Sequence, residues 1–165
     1  MNRPSTTHFR TLVAAAIVVA ASLASAATLQ SGDALPVLPL KDQHAKALPV
    51  PADTRVIFFA AEMSASKLMS KALEGLAPTA LRDGKAIYIA DISSMPAPIS
   101  IIVAMPKLQK LPYRVAVVQD ARETAALPRK PGAVTVLKTQ DGRISAVDYA
   151  ATAEQVVASL KRGPV

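Results

Sequence analysis

Glu62-Met63-Ser64-Ala65-Ser66-Lys67 stands between a strongly apolar run and a helical pattern, so it puts a carboxylate, two hydroxyls and an amine where a strand hands over to a helix. Backbone N–H groups and the helix dipole at such a start can hold an anion or a thiolate, which makes Ser64 and Ser66 candidate ligand residues. The simpler role is an N-cap, worth about 0.5–2 kcal/mol. Asp91 and Asp120 close two later apolar runs. With Glu62 they would lie beyond the carboxyl ends of parallel strands, the edge where α/β sheets place ligands. Three oxygens could hold a hard cation, but Ca²⁺ takes six to eight, and no Asp-rich loop completes the shell. Strand-end aspartates more commonly cap turns. Catalysis by a nucleophilic serine needs a base, and His44 has no motif linking it to either serine. No catalytic residue, metal or cofactor is expected.

The 165 residues include no cysteine. Thiol–disulfide exchange, disulfides, thiolate zinc sites and lipoprotein attachment are all excluded by that count. Only 6 glycines are present, and neither a phosphate loop nor a dinucleotide fingerprint can be assembled from them. With no Trp, 3 Phe and 3 Tyr, aromatic platforms for single-stranded nucleic acid have no support, so nucleic acid is not an expected partner. The net charge of +7 is mildly basic. Lys107, Lys110, Arg114, Arg129 and Lys130 could attract anionic envelope polymers or acidic proteins, although a solvated face is the simpler reading.

The order of elements is what would position these residues. Leu35 to Leu40 and Leu48 to Ala52 read as an entry strand and an edge strand. Arg55 to Ala60 is the near-continuous apolar run of a central strand. From Ser66 the spacing turns helical, with Leu68, Ala72, Leu73 and Leu76 on one face, and Arg82-Asp83-Gly84 makes a turn. Lys85 to Ile92 is the next strand. Ser94 opens a helix with Pro96 and Pro98 in its first turn, which Pro106 interrupts or kinks. Arg114 to Gln119 and Ala133 to Thr139 are further strands, with a short helix or crossover over Ala121 to Leu127 between them. Gln140-Asp141-Gly142-Arg143 turns the chain back into Ile144 to Tyr149. Thr152-Ala153-Glu154-Gln155 is a capping box for the last helix. Alternating strands and helices of these lengths favour a parallel first half.

Phe58-Phe59-Ala60-Ala61-Glu62-Met63-Ser64-Ala65-Ser66-Lys67 resembles the thioredoxin active-site turn, Phe-Trp-Ala-x-Trp-Cys-Gly-Pro-Cys-Lys, without a gap. Met63 and Ser66 stand at its two cysteine positions. The leader Leu35-Pro36-Val37-Leu38-Pro39-Leu40, the strand Val117-Val118-Gln119-Asp120 and the hairpin around Asp141-Gly142 are similar to the secreted thiol-disulfide and peroxiredoxin-like branch of the thioredoxin-like superfamily. The resemblance implies an α/β fold: a three-layer sandwich with a central mixed β-sheet flanked by helices, spanning about residues 35–160. Ile57 stands where that family carries a buried aspartate. The family's cis-proline position falls on Ala133 or Val134, or on Pro131 if the hairpin carries extra residues; a non-proline residue there implies a trans bond. All of these departures remove redox chemistry.

Residues 1–26 read as a signal peptide, with Arg3 and Arg10 ahead of the apolar run Leu12 to Leu23 and Ala24-Ser25-Ala26 as its cleavage site, near Ala26 or Ala27. That run is short of the roughly 20 residues that span a bilayer, and an uncleaved anchor is the alternative. Residues 27–165 are then one periplasmic or secreted domain with no integral membrane segment after processing. In the second helix, Ile99, Ile102 and Val103 are expected in the core, while Ile101 and Met105 are left over. With Met63 and Met69 they form a candidate apolar interface for a partner or for self-association. The expected function is a redox-inactive binding module for a protein or envelope component. The alternative is an envelope enzyme or ligand-binding protein that uses Glu62 to Lys67 with Asp91 and Asp120.

Overall fold

Val-Ile-Phe-Phe-Ala is buried at every position in β1 (Val56–Ala60), and a run apolar on both faces belongs in the middle of a sheet. In the computed structural model, which describes residues 27–162, β1 is the central strand of five. The expected signal peptide lies outside the described residues. β1 pairs in parallel with β2 (Ala86–Asp91), and β2 pairs in parallel with β3 (Ala116–Val118). On its other side β1 pairs antiparallel with β4 (Val134–Gln140), which continues antiparallel to β5 (Arg143–Ala150), so the order is β3-β2-β1-β4-β5. Asp141 and Gly142 turn the hairpin with φ of 50° and 73°, the paired positive values that Asp-Gly supplies in a two-residue turn.

Strand alternation divides the core in two. Val56, Phe58, Ala60, Tyr88, Ala90, Val134 and Val136 face α1 (Met63–Leu73) and α5 (Ala153–Lys161). Ile57, Phe59, Ile87, Ile89 and Leu137 face the opposite way. The helical layer covers the first face; the second is covered by Leu38, Leu40 and Leu48 of the extended N-terminal segment and by Leu127. The two strands expected in that segment form no ladder. Only isolated bridges occur beside them, Ala34 with Arg143, Lys41 with Ala47 and Asp42 with Ala116, and Pro36, Pro39, Pro49 and Pro51 remove donors that a ladder needs.

Asp42 and Gln43 fasten this segment down. The Gln43 amide donates to the Tyr113 carbonyl at 2.8 Å and accepts from the Val115 N–H at 2.9 Å. The Asp42 carboxylate accepts from the His44 and Lys46 N–H groups, both at 2.9 Å, and from the Arg114 guanidinium at 2.9 Å. Burial alone would push this carboxyl up, but the two backbone donors and Arg114 outweigh it, and its pKa lies below the ordinary value. The stability it contributes is therefore present above the ordinary aspartate value near 3.9 and is lost as pH falls through the lower folded-state value. Thermal melts from about pH 6 to about pH 2 should show an acid limb that is shallower in Asp42→Asn. Superimposable acid limbs would remove Asp42 as a source of acid sensitivity.

α1 begins at Met63, three residues earlier than the spacing suggests, and buries Ala65, Met69, Ala72 and Leu73 at i, i+4, i+7 and i+8. Arg82 and Asp83, expected in a turn, end the short helix α2 (Ala80–Asp83), and Gly84 follows it. Of the two outcomes expected at Pro106, a break or a distorted continuation, the chain takes the second. α3 (Ala97–Ile99) passes through a π-helical turn over Ser100–Ala104 into α4 (Met105–Gln109). The Met105 N–H donates to the Ser100 carbonyl five residues back, which widens the turn immediately before the proline that cannot donate. In α5 the capping box forms as the sequence implies, with Thr152 accepting from the Gln155 N–H and Gln155 accepting in return from the Thr152 N–H.

Candidate functional site

β1, β2 and β3 end at one edge of the sheet, since Ala60 pairs with Ala90 and Asp91 pairs with Val118. Glu62, Asp91 and Asp120 are therefore all delivered to that edge. They are not delivered to one another, because each carboxylate is held by its own partners.

Glu62 is the N-cap residue of α1, with extended backbone at φ −155° and ψ 171°. Its Oε1 accepts from the Ser64 hydroxyl and from the Gly132 N–H, both at 2.5 Å. Those two donors, the serine first, pull its pKa below the usual glutamate value. The start of α1 is thereby joined to the segment entering β4, and Gly132 reaches it with φ of 74°, a conformation that a side chain would strain. The Glu62 carboxylate makes no hydrogen bond to the N–H groups of the helix start; it occupies the cap position by its backbone and accepts from Ser64 and Gly132 instead. Neither Ser64 nor Ser66 caps the helix.

Met63, at the first cysteine position, is exposed, and so is Lys67. Ser66, at the second, is half-buried and lies near the Tyr88 phenol. Burial pushes that phenol well above the ordinary tyrosine value, and the Ser66 contact opposes the shift only in part. Met69 is fully buried between α1 and the sheet and is no part of any interface. It lies in line with Ala65, Ala72 and Leu73 on the buried face, with Leu68 packed at the edge of that face.

Asp91 is an anchor, not an open ligand site. Its side chain is 1% exposed and accepts from the Ser93 N–H at 2.9 Å, from Arg129 Nη2 at 2.8 Å and from the Thr124 hydroxyl at 3.3 Å. The Arg129 guanidinium also donates to Thr124 Oγ1 and lies 5.0 Å from the centroid of the Phe59 ring. Asp120 caps the 3₁₀ turn Ala121–Thr124 and pairs with Arg122, which holds its pKa at about 2. Arg129 and Arg114 thus leave the free basic group proposed from the sequence and become structural cations for Asp91 and Asp42. The sequence reading missed Thr124, Gly132 and Tyr88 as partners. A buried strand-end aspartate requires a cation, and that requirement is the signal that could have pointed to Arg129.

All peptide bonds among the described residues are trans, including those of Pro131, Ala133 and Val134. A groove of about 630 Å³ opens at the other edge of the sheet, lined by Thr54, Lys85, Ala86, Pro112 and Tyr113, far along the strands from Glu62 and Asp91.

The exposed apolar surface agrees with the expected one at Met63 and Ile101 and departs from it elsewhere. Ile101 is 66% exposed, but Met105 is only partly so, and the residues assigned to the core, Ile99, Ile102 and Val103, are 47%, 72% and 44% exposed. The π-helical turn carries these side chains away from the sheet, while Leu108 and Leu111 take up the packing against the core.

No family model matches the chain, and no curated protein matches it. Solved structures do. A peroxiredoxin-like protein from Aquifex aeolicus is similar with a TM-score of 0.52 at 16% identity, over 83% of this chain and 89% of that one. Peroxidoxin BcpB from Mycobacterium tuberculosis gives 0.51 at 16% identity, over 81% and 97%. Reduced Prx3 from Vibrio vulnificus, in complex with hydrogen peroxide, gives 0.55 at 16% identity, over 81% and 100%. Likeness at that identity speaks for the architecture alone, and together with the strand order it establishes that this cysteine-free chain has the thioredoxin-like fold.

Proposed function

We propose that the chain is an exported, redox-inactive thioredoxin-like domain that works by binding a partner in the cell envelope. The observation that carries this reading is the exposed aliphatic run Ile99, Ile101, Ile102 and Val103 on a domain whose former redox turn is filled by structural contacts. A thiolate is the nucleophile of disulfide exchange, and neither the Met63 thioether nor the Ser66 hydroxyl replaces it at neutral pH. The alternative of a ligand or catalytic site at Glu62 to Lys67 with Asp91 and Asp120 is weakened by the separate partners that hold each of the three carboxylates. Localisation in the periplasm or outside the cell rests on the A-x-A site after the short apolar run.

The test uses protein recovered from the exported fraction. Its intact mass should correspond to a start near Ala27, and it should neither reduce insulin nor consume peroxide with dithiothreitol. Envelope material retained by the wild type should be lost from Ile102→Asp, a surface change that leaves the melting temperature in place. Identical retention by both proteins, or thiol-dependent turnover, would refute the reading.

A further inference from the structure

Four exposed aliphatic side chains in five consecutive residues are unusual on a soluble domain, and here they project from one helix. Their surroundings select what can cover them. From Ile92 to Gln119 the chain carries no Asp or Glu, and within that stretch Lys107 follows the apolar run on α4 and Lys110 stands at the C-cap of that helix. Both lysines are exposed, and among the described residues neither makes an ion pair. Arg114, the remaining cation of the stretch, is taken by Asp42.

We propose that the tip formed by Ile99, Ile101, Ile102 and Val103, with Lys107 and Lys110 behind it, docks on an anionic lipid surface. This rests on the reading of the chain as a binding module and names what it binds. An exposed aliphatic tip followed along the chain by unpaired lysines suits a bilayer interface, where apolar burial and attraction to anionic headgroups act together. The helix is far too short to span; no described helix is long and apolar enough to cross a membrane. A second copy of the chain fits less well. Four partly exposed side chains fall short of the roughly 800 Å² per partner that a stable protein interface buries, and two copies would bring like-charged lysines together. Leu108 and Leu111 root the far end of the helix in the core, so the tip is presented on a rigid stem.

The experiment is co-sedimentation of residues 27–165, the chain that contains the whole described core, with vesicles of phosphatidylcholine alone or mixed with phosphatidylglycerol. Binding is expected to the mixed vesicles and to weaken as salt is raised. The Lys107→Gln/Lys110→Gln variant should lose about fivefold per lysine. The Ile101→Ser/Ile102→Ser variant should lose about tenfold or more at an unchanged melting temperature. Equal binding to both kinds of vesicle, equal binding by wild type and variants, or no binding to anionic vesicles at low salt would overturn the proposal. Light scattering separates the two levels of the argument. Self-association that Ile101→Ser/Ile102→Ser abolishes, without vesicle binding, overturns the lipid surface and keeps the binding module. Absence of vesicle binding, together with identical envelope retention by wild type and Ile102→Asp, overturns both.

Discussion

Met69→Ala is expected to destabilise the domain by about 2–5 kcal/mol, whereas Met63→Ala, six residues earlier on the same helix, should change stability by less than about 0.5 kcal/mol. The residue type is the same, so the difference lies in what surrounds it. Met69 is fully buried among Ala65, Leu73 and the Phe58, Ala60 and Val136 face of the sheet, and truncation there leaves a cavity that the close-packed strands close only in part. Met63 is 49% exposed at the first turn of α1, and water takes the place of the removed atoms. Urea or thermal unfolding of the two variants measures the contrast. Comparable losses would mean that α1 sits on the sheet in a different rotation.

That rotation was only partly legible in the sequence. The apolar positions of α1 fit more than one helical face, and Leu68 and Met69 differ in whether the small Ala65 is counted as part of the buried set. Serines suggested a start near Ser66; the helix starts at Met63, after Glu62, whose carboxylate is tied to the Gly132 N–H from 70 residues away and makes no capping bond to the helix itself. The strands were easier, since runs such as Val56–Ala60 and Ala116–Val118 are apolar enough to be buried wherever they go, and Asp141-Gly142 fixes its turn locally. The aliphatic helix was misread for the opposite reason. Ile99, Ile102 and Val103 satisfy every local criterion for a core face, and nothing near them in the sequence reveals that Leu108 and Leu111 make the contacts instead. Hydrophobic spacing identifies a face; it does not say whether the face meets this protein or something else.

The Asp91–Arg129 pair is the other place where long-range structure decides, and its two partners should respond unequally to substitution. Arg129→Ala leaves a carboxylate that is 1% exposed with no cation, retaining only the Ser93 N–H and the Thr124 hydroxyl as donors, and removes the guanidinium that covers Phe59. An uncompensated buried charge of this kind costs about 3–5 kcal/mol. Asp91→Asn should cost less, since the amide oxygen still accepts a hydrogen bond and the side chain of Arg129, 37% exposed, can turn toward water. Thermal melts of the two single variants and of the double variant give the coupling directly. The Arg129→Ala protein should also recover part of its lost stability when Asp91→Asn is added, because the second substitution removes the charge that the first one stranded. A double variant that is destabilised by the sum of the two single losses would mean that the carboxylate and the guanidinium act independently, and that the edge where β1, β2 and β3 end is held by packing around Phe59 and not by this ion pair.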